Sequence, residues 1–119
     1  MLLASSYRMA IVLVVDDSPV ALRALGRRLV QAGFQVREEA TASAARATDL
    51  EALACAVFDL ELAEALRVKR PSLPVAFFTS GASAPVVERA RLLGPILAKP
   101  DVDAVVAWAS RVAQPPPTK

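Results

Sequence analysis

Short unbroken apolar runs alternate along this chain with longer stretches in which apolar residues return every three or four positions. Ile11-Val12-Leu13-Val14-Val15 has no polar interruption, the pattern of a strand buried on both faces. Ala54-Cys55-Ala56-Val57-Phe58 and Val75-Ala76-Phe77-Phe78 repeat it, and Ile96-Leu97-Ala98 is a shorter version. Phe34-Gln35-Val36-Arg37-Glu38 alternates apolar with polar residues, which suits a half-exposed strand at a sheet edge.

Between these runs the period is helical. Ser18-Pro19 supplies an N-cap followed by proline at the first helical position. On a helix from Pro19 to about Gln31, Leu22, Leu25, Gly26 and Leu29 share one face, and Arg23, Arg27, Arg28 and Gln31 take the solvated one. Gly33 ends it. Thr41 to about Leu53 is alanine-rich and helix-favouring, with Thr41 or Ser43 as cap. Residues 60–74 number only 15, so the helix between the third and fourth strands, roughly Leu62–Lys69, has about two turns. Ser83-Ala84-Pro85 opens a further helix with Val86, Val87, Ala90 and Leu93 inward, closed by Gly94-Pro95. Asp101 or Asp103 starts the last, with Val102, Val105, Val106, Ala109 and Val112 inward and Trp108 packing at the margin of the stripe.

The order is strand then helix, five times over. Such alternation predicts an α/β domain, a doubly wound five-stranded parallel sheet with helices on both faces and a short third helix. Right-handed crossovers then bring the C-terminal ends of all strands to one rim, where open α/β sheets bind ligands. That rim carries Asp16, Asp17, Asp59, Thr79 and Lys99. Residues 9–113 are expected to form the domain, with 1–8 a flexible leader and 114–119 a proline-rich tail.

Composition narrows the chemistry. With 119 residues and 55% hydrophobic content the chain suits one well-packed domain. The longest apolar runs, Met9–Val15 and Ala52–Phe58, are seven residues each and too short to span a bilayer. With no signal-peptide pattern, a soluble cytoplasmic protein is expected. The lone Cys55 reads as a small core residue. Histidine is absent, which removes Ser/His and Cys/His nucleophile pairs and leaves carboxylates or Lys99 for acid–base work. A net charge of +2, with basic residues scattered, argues against direct nucleic-acid binding.

Adjacent Asp16 and Asp17 repel unless water or a cation offsets them. Three carboxylates on one rim suit a hard divalent ion such as Mg²⁺, which takes one or two carboxylates with water and phosphate oxygens. A carboxylate also attacks phosphorus to give an acyl phosphate. Lys99 could neutralise the incoming phosphoryl group, and the Thr79 hydroxyl could hydrogen-bond one of its oxygens.

With these parts in this order, the chain resembles the receiver domain of two-component response regulators, the CheY-like, flavodoxin-like fold, over about residues 9–113. The resemblance rests on the acidic pair after the first strand, Val57-Phe58-Asp59, Phe77-Phe78-Thr79-Ser80-Gly81, and Leu97-Ala98-Lys99-Pro100. It implies that Asp59 is the phosphoacceptor, that Asp16, Asp17, Asp59 and the backbone carbonyl of Glu61 hold Mg²⁺, and that Thr79 and Lys99 assist. It implies a phosphohistidine donor on a histidine kinase or phosphotransfer protein, and a downstream protein partner meeting the face formed by the helix over 83–93, the strand Ile96–Ala98 and the last helix. Monomer or weak dimer, no membrane, and a signalling role without enzymatic turnover complete that expectation. Two departures stand against the pattern: the loop after Asp59 is shortened, and Ile96 occupies a position usually aromatic. They support a second reading, a phosphorylation-independent pseudo-receiver acting as an interaction module. An Asp-dependent phosphohydrolase fits less well, because Glu61 only loosely supplies the second acidic residue.

Overall fold

The computed structural model describes residues 10–46, 52–60 and 72–113. Five strands, β1 (Ile11–Val15), β2 (Gln35–Glu39), β3 (Cys55–Asp59), β4 (Val75–Thr79) and β5 (Ile96–Ala98), form one sheet in the order β2-β1-β3-β4-β5. Every pairing is parallel. The described helices are α1 (Pro19–Gln31), α2 (Ala42–Arg46), α3 (Ala84–Arg91) and α4 (Val102–Val112). The helix expected over Leu62–Lys69, the leader and the tail lie outside the described residues.

Period-2 alternation sorts the strand side chains onto two cores. Val12, Val14, Cys55, Val57, Ala76 and Phe78 pack with Leu22, Leu25 and Leu29 of α1 and with Val105, Trp108 and Ala109 of α4. Leu13, Val15, Ala56, Phe58, Val75 and Phe77 face the other way, onto Ala45 of α2 and Ala90, Val86 and Val87 of α3. The central strands are apolar throughout because they are covered on both faces. β2, an edge strand, is largely exposed, as its alternation requires. Burial in the first core pushes the Cys55 thiol up to about 12, so it stays protonated and inert at neutral pH.

The local signals account for the helix ends. Ser18 Oγ accepts from Ala21 N–H at 3.3 Å with Pro19 next in line. Gly33, at φ 101°, turns the chain out of α1 into β2. Thr41 Oγ1 accepts from Ala44 N–H at 3.1 Å, and Asp101 Oδ1 from Ala104 N–H at 3.1 Å. Trp108 is buried, as expected of a packing residue.

Two apolar assignments and one helix boundary need correction. Leu93 is exposed, because α3 ends at Arg91 and the chain turns before it can reach the core. Val112 is also exposed, because the buried face at the end of α4 runs through Ala109 and Ala113 and leaves Val112 beside it. Leu53 is buried but stands outside any helix; α2 is described only over Ala42–Arg46, and 47–51 lie outside the described residues. No described helix is long and apolar enough to cross a membrane.

Candidate functional site: an acidic pocket with a lysine counter-ion

The strand order reverses direction between β1 and β3, the place where open α/β sheets form a crevice at the strands' C-terminal ends. The carboxylates stand at that crevice. Asp16 follows β1 directly, its N–H donating to Glu39 O at 3.1 Å so that it still belongs to the sheet ladder. It is only 1% exposed. Asp17, one residue on, is exposed, and Asp59, the last residue of β3, is buried. One carboxylate oxygen from each of Asp16, Asp17 and Asp59 lies within 4.8 Å of the other two.

Lys99 reaches the same crevice from the end of β5. Its N–H donates to Thr79 O at 2.9 Å, continuing the β4–β5 ladder past the strand's end, and the Lys99–Pro100 peptide is cis. The ammonium stands 2.9 Å from Asp16 Oδ2 and 3.8 Å from Asp59 Oδ1. It also lies 5.9 Å from the centre of the Phe78 ring, within cation–π range. The ammonium thus stands over an aromatic face while it meets the acids.

The two oxygens of Asp16 are unequal. Oδ1 accepts the Ser18 N–H at 2.9 Å. Oδ2 is fully buried and, although Lys99 Nζ is 2.9 Å away, that approach lies off the line of a good hydrogen bond. A buried carboxylate oxygen without an aligned donor is costly, and a hard cation is one group that would satisfy it. The residues present therefore fit a divalent ion held by Asp16, Asp17 and Asp59. Glu61, whose carbonyl was expected to join them, lies outside the described residues.

Thr79 ends β4 on the same rim. Its hydroxyl donates to Gly81 O at 3.1 Å, and its oxygen accepts from the Gly81 N–H at 3.1 Å. Ile96 is half-buried against the second core beside Phe77. Of the residues expected on the rim, Asp16, Asp17, Asp59 and Lys99 gather at one crevice, and Thr79 stands at the neighbouring strand end. Sequence reasoning misses two supporting parts, the Ser18 N–H and the Phe78 ring. Phe78 is one residue before Thr79 and pairs with Leu97, so a ladder drawn across β4 and β5 brings it close to Lys99.

Solved structures with this arrangement of strands and helices are similar over nearly the whole chain. A CheY-like response regulator receiver domain protein from Methanospirillum hungatei superposes with a TM-score of 0.76 at 23% identity, over 87% of this chain and 93% of that one. The fold is that of CheY-like response regulator receiver domains. The non-phosphorylated HemR receiver domain from Leptospira biflexa matches the receiver fold with a TM-score of 0.73 at 26% identity, over 92% of this chain and 98% of that one. A BeF3-activated DrrB receiver domain gives 0.74 at 21% identity, over 91% and 100%. No protein-family model and no curated protein matches the sequence. What is shared with these receiver domains is the arrangement of strands and helices, and at 21–26% identity most positions differ.

Proposed function

We propose that this chain is a response regulator receiver that accepts a phosphoryl group on Asp59 in a Mg²⁺-dependent reaction and thereby changes its affinity for a protein partner. The observation that carries this reading is the Lys99 ammonium standing between Asp16 and Asp59 in a pocket with a third carboxylate. A bound divalent ion would screen the negative charges of the carboxylates and the incoming phosphoryl oxygens, so that anion could approach anion.

The chain's own residues supply the rest. An Asp59 carboxylate oxygen attacks phosphorus as the bond from phosphorus to the donor's imidazole nitrogen breaks, and the electron pair leaves with that nitrogen. Lys99, already 3.8 Å from Asp59, pairs with a phosphoryl oxygen. The Thr79 hydroxyl must give up its bond to Gly81 O before it can donate to another such oxygen. The chain has no histidine, so a phosphohistidine donor belongs to a separate histidine kinase or phosphotransfer protein. Gain and loss of the phosphoryl group on one carboxylate make this a signalling domain, with no second substrate turned over.

Incubation with acetyl phosphate and Mg²⁺ followed by intact-mass measurement tests the reading. The expected result is one added phosphoryl group on the wild type and none on Asp59→Asn or in excess chelator. An unmodified wild type, or an adduct that survives Asp59→Asn, overturns it. The pseudo-receiver reading draws on Ile96, an aliphatic residue seated against the core where an aromatic switch is expected. An unmodified wild type that still binds its partner would favour it.

A further inference from the structure

We infer that Lys99 and the divalent cation are exchanging counter-ions for Asp16, so that loading the metal releases the lysine from Asp16 and hands it to Asp59. This rests on the metal-dependent reading above and assigns the order of events within it.

The inference starts from the inequality of the Asp16 oxygens. Oδ1 is occupied by the Ser18 N–H at 2.9 Å. Oδ2 is the oxygen left for a cation, and the Lys99 ammonium is 2.9 Å from it. Asp16 is 1% exposed, so water cannot neutralise the carboxylate, and some cation has to. Lysine and a divalent ion thus need the same buried atom. The lysine has somewhere else to go. Asp59 Oδ1 is 3.8 Å away, and the Phe78 ring lies 5.9 Å from the ammonium. A shift of the ammonium from Asp16 toward Asp59 keeps it paired and clears Oδ2.

The exchange has a functional consequence. Lys99 stands nearer Asp16, at 2.9 Å, than the nucleophile Asp59, at 3.8 Å, and loading the site moves it fully onto the nucleophile. The Lys99–Asp16 pair also lowers metal affinity, because the cation must first displace it. Linkage makes the two effects reciprocal: whatever factor the lysine costs the metal, its removal returns.

Calorimetric titration with Mg²⁺ at constant ionic strength, adjusted with NaCl to hold screening fixed, tests the exchange in the full chain. Lys99→Gln should bind Mg²⁺ about tenfold more tightly than wild type, within the range of ordinary coupling between sites. In case Lys99→Gln fails to fold, a second readout uses wild-type protein alone. The chain has three lysines, and with 13C-labelled lysine the Lys99 ε-methylene resonance, assigned by Lys99→Arg, should move with the calorimetric midpoint and return on chelation. Wild type that binds Mg²⁺ while Lys99→Gln binds no tighter overturns the exchange and leaves the proposed function standing. So does a Lys99 resonance that stays fixed at saturating Mg²⁺. Failure of wild type and variant alike to bind Mg²⁺ overturns the exchange together with the metal-dependent reading beneath it.

Discussion

Gly94 and Gly26 both sit where a Cβ would collide, yet the two collisions differ in kind. At Gly94 the added carbon would strike the backbone carbonyl of Val75, where the turn after α3 presses on the start of β4. Backbone in a sheet cannot step aside, so Gly94→Ala should cost about 1–3 kcal/mol, as overpacking does. At Gly26 the obstacle is the carboxylate end of Glu38, an exposed and flexible group that can swing into solvent. Replacing a mid-helix glycine by alanine gains up to about 1 kcal/mol of helix propensity, so Gly26→Ala should be neutral or stabilising. Urea unfolding of the two variants checks the contrast, and equal losses would contradict it. At this scale the acids were legible in the sequence because each follows an apolar run directly. The Ser18 N–H on Asp16 and the ring of Phe78 beside Lys99 were not, since they depend on register between segments far apart in the chain. Leu93 continues an apolar period past the end of α3, and Val112 lies beside a buried face that runs through Ala109 and Ala113, so periodicity alone places both wrongly.

Among the elements, the strands were the most readable. Burial on both faces keeps β1, β3 and β4 apolar up to their ends, and Asp16, Asp59 and Thr79 stand where those apolar runs stop. Helix starts were readable for the same local reason: Ser18, Thr41 and Asp101 each accept a hydrogen bond from a first-turn N–H. Helix lengths were less so, because propensity over 41–53 does not say where packing stops rewarding the helix. The cap and the exposed ion pair on α1 separate two kinds of stabilisation. Ser18 is partly buried and satisfies a helix donor, whereas Arg28 pairs with Asp103 of α4 at 2.8 Å on the surface. Ser18→Ala should lower stability by about 1 kcal/mol, and Arg28→Ala by less, nearer about 0.5 kcal/mol. Denaturation midpoints at low and high salt distinguish them: only the loss from Arg28→Ala should shrink as salt rises. A salt-insensitive effect at Arg28 would mean that its stem, not its charge, holds α1 to α4.

Across the whole molecule, the sheet order β2-β1-β3-β4-β5 does the gathering. It places the ends of β1 and β3 side by side at the crevice, and it runs β4 and β5 alongside so that Thr79 and Lys99 arrive at the same rim. Residues that are 83 positions apart, Asp16 and Lys99, meet at 2.9 Å only because all five strands point the same way. Two cores, one on each side of the sheet, hold that rim still. The central claim is that this crevice is a phosphoryl-accepting pocket built around Asp59. Beryllofluoride, which mimics a phosphoryl group on a carboxylate, tests it most directly in amide NMR spectra of 15N-labelled protein. With Mg²⁺ present, shifts should concentrate at Asp16 to Ser18, Asp59, Thr79 to Gly81 and Lys99, and all of them should be lost in Asp59→Asn. Spectra that beryllofluoride leaves unchanged, or shifts that persist in Asp59→Asn, would contradict it.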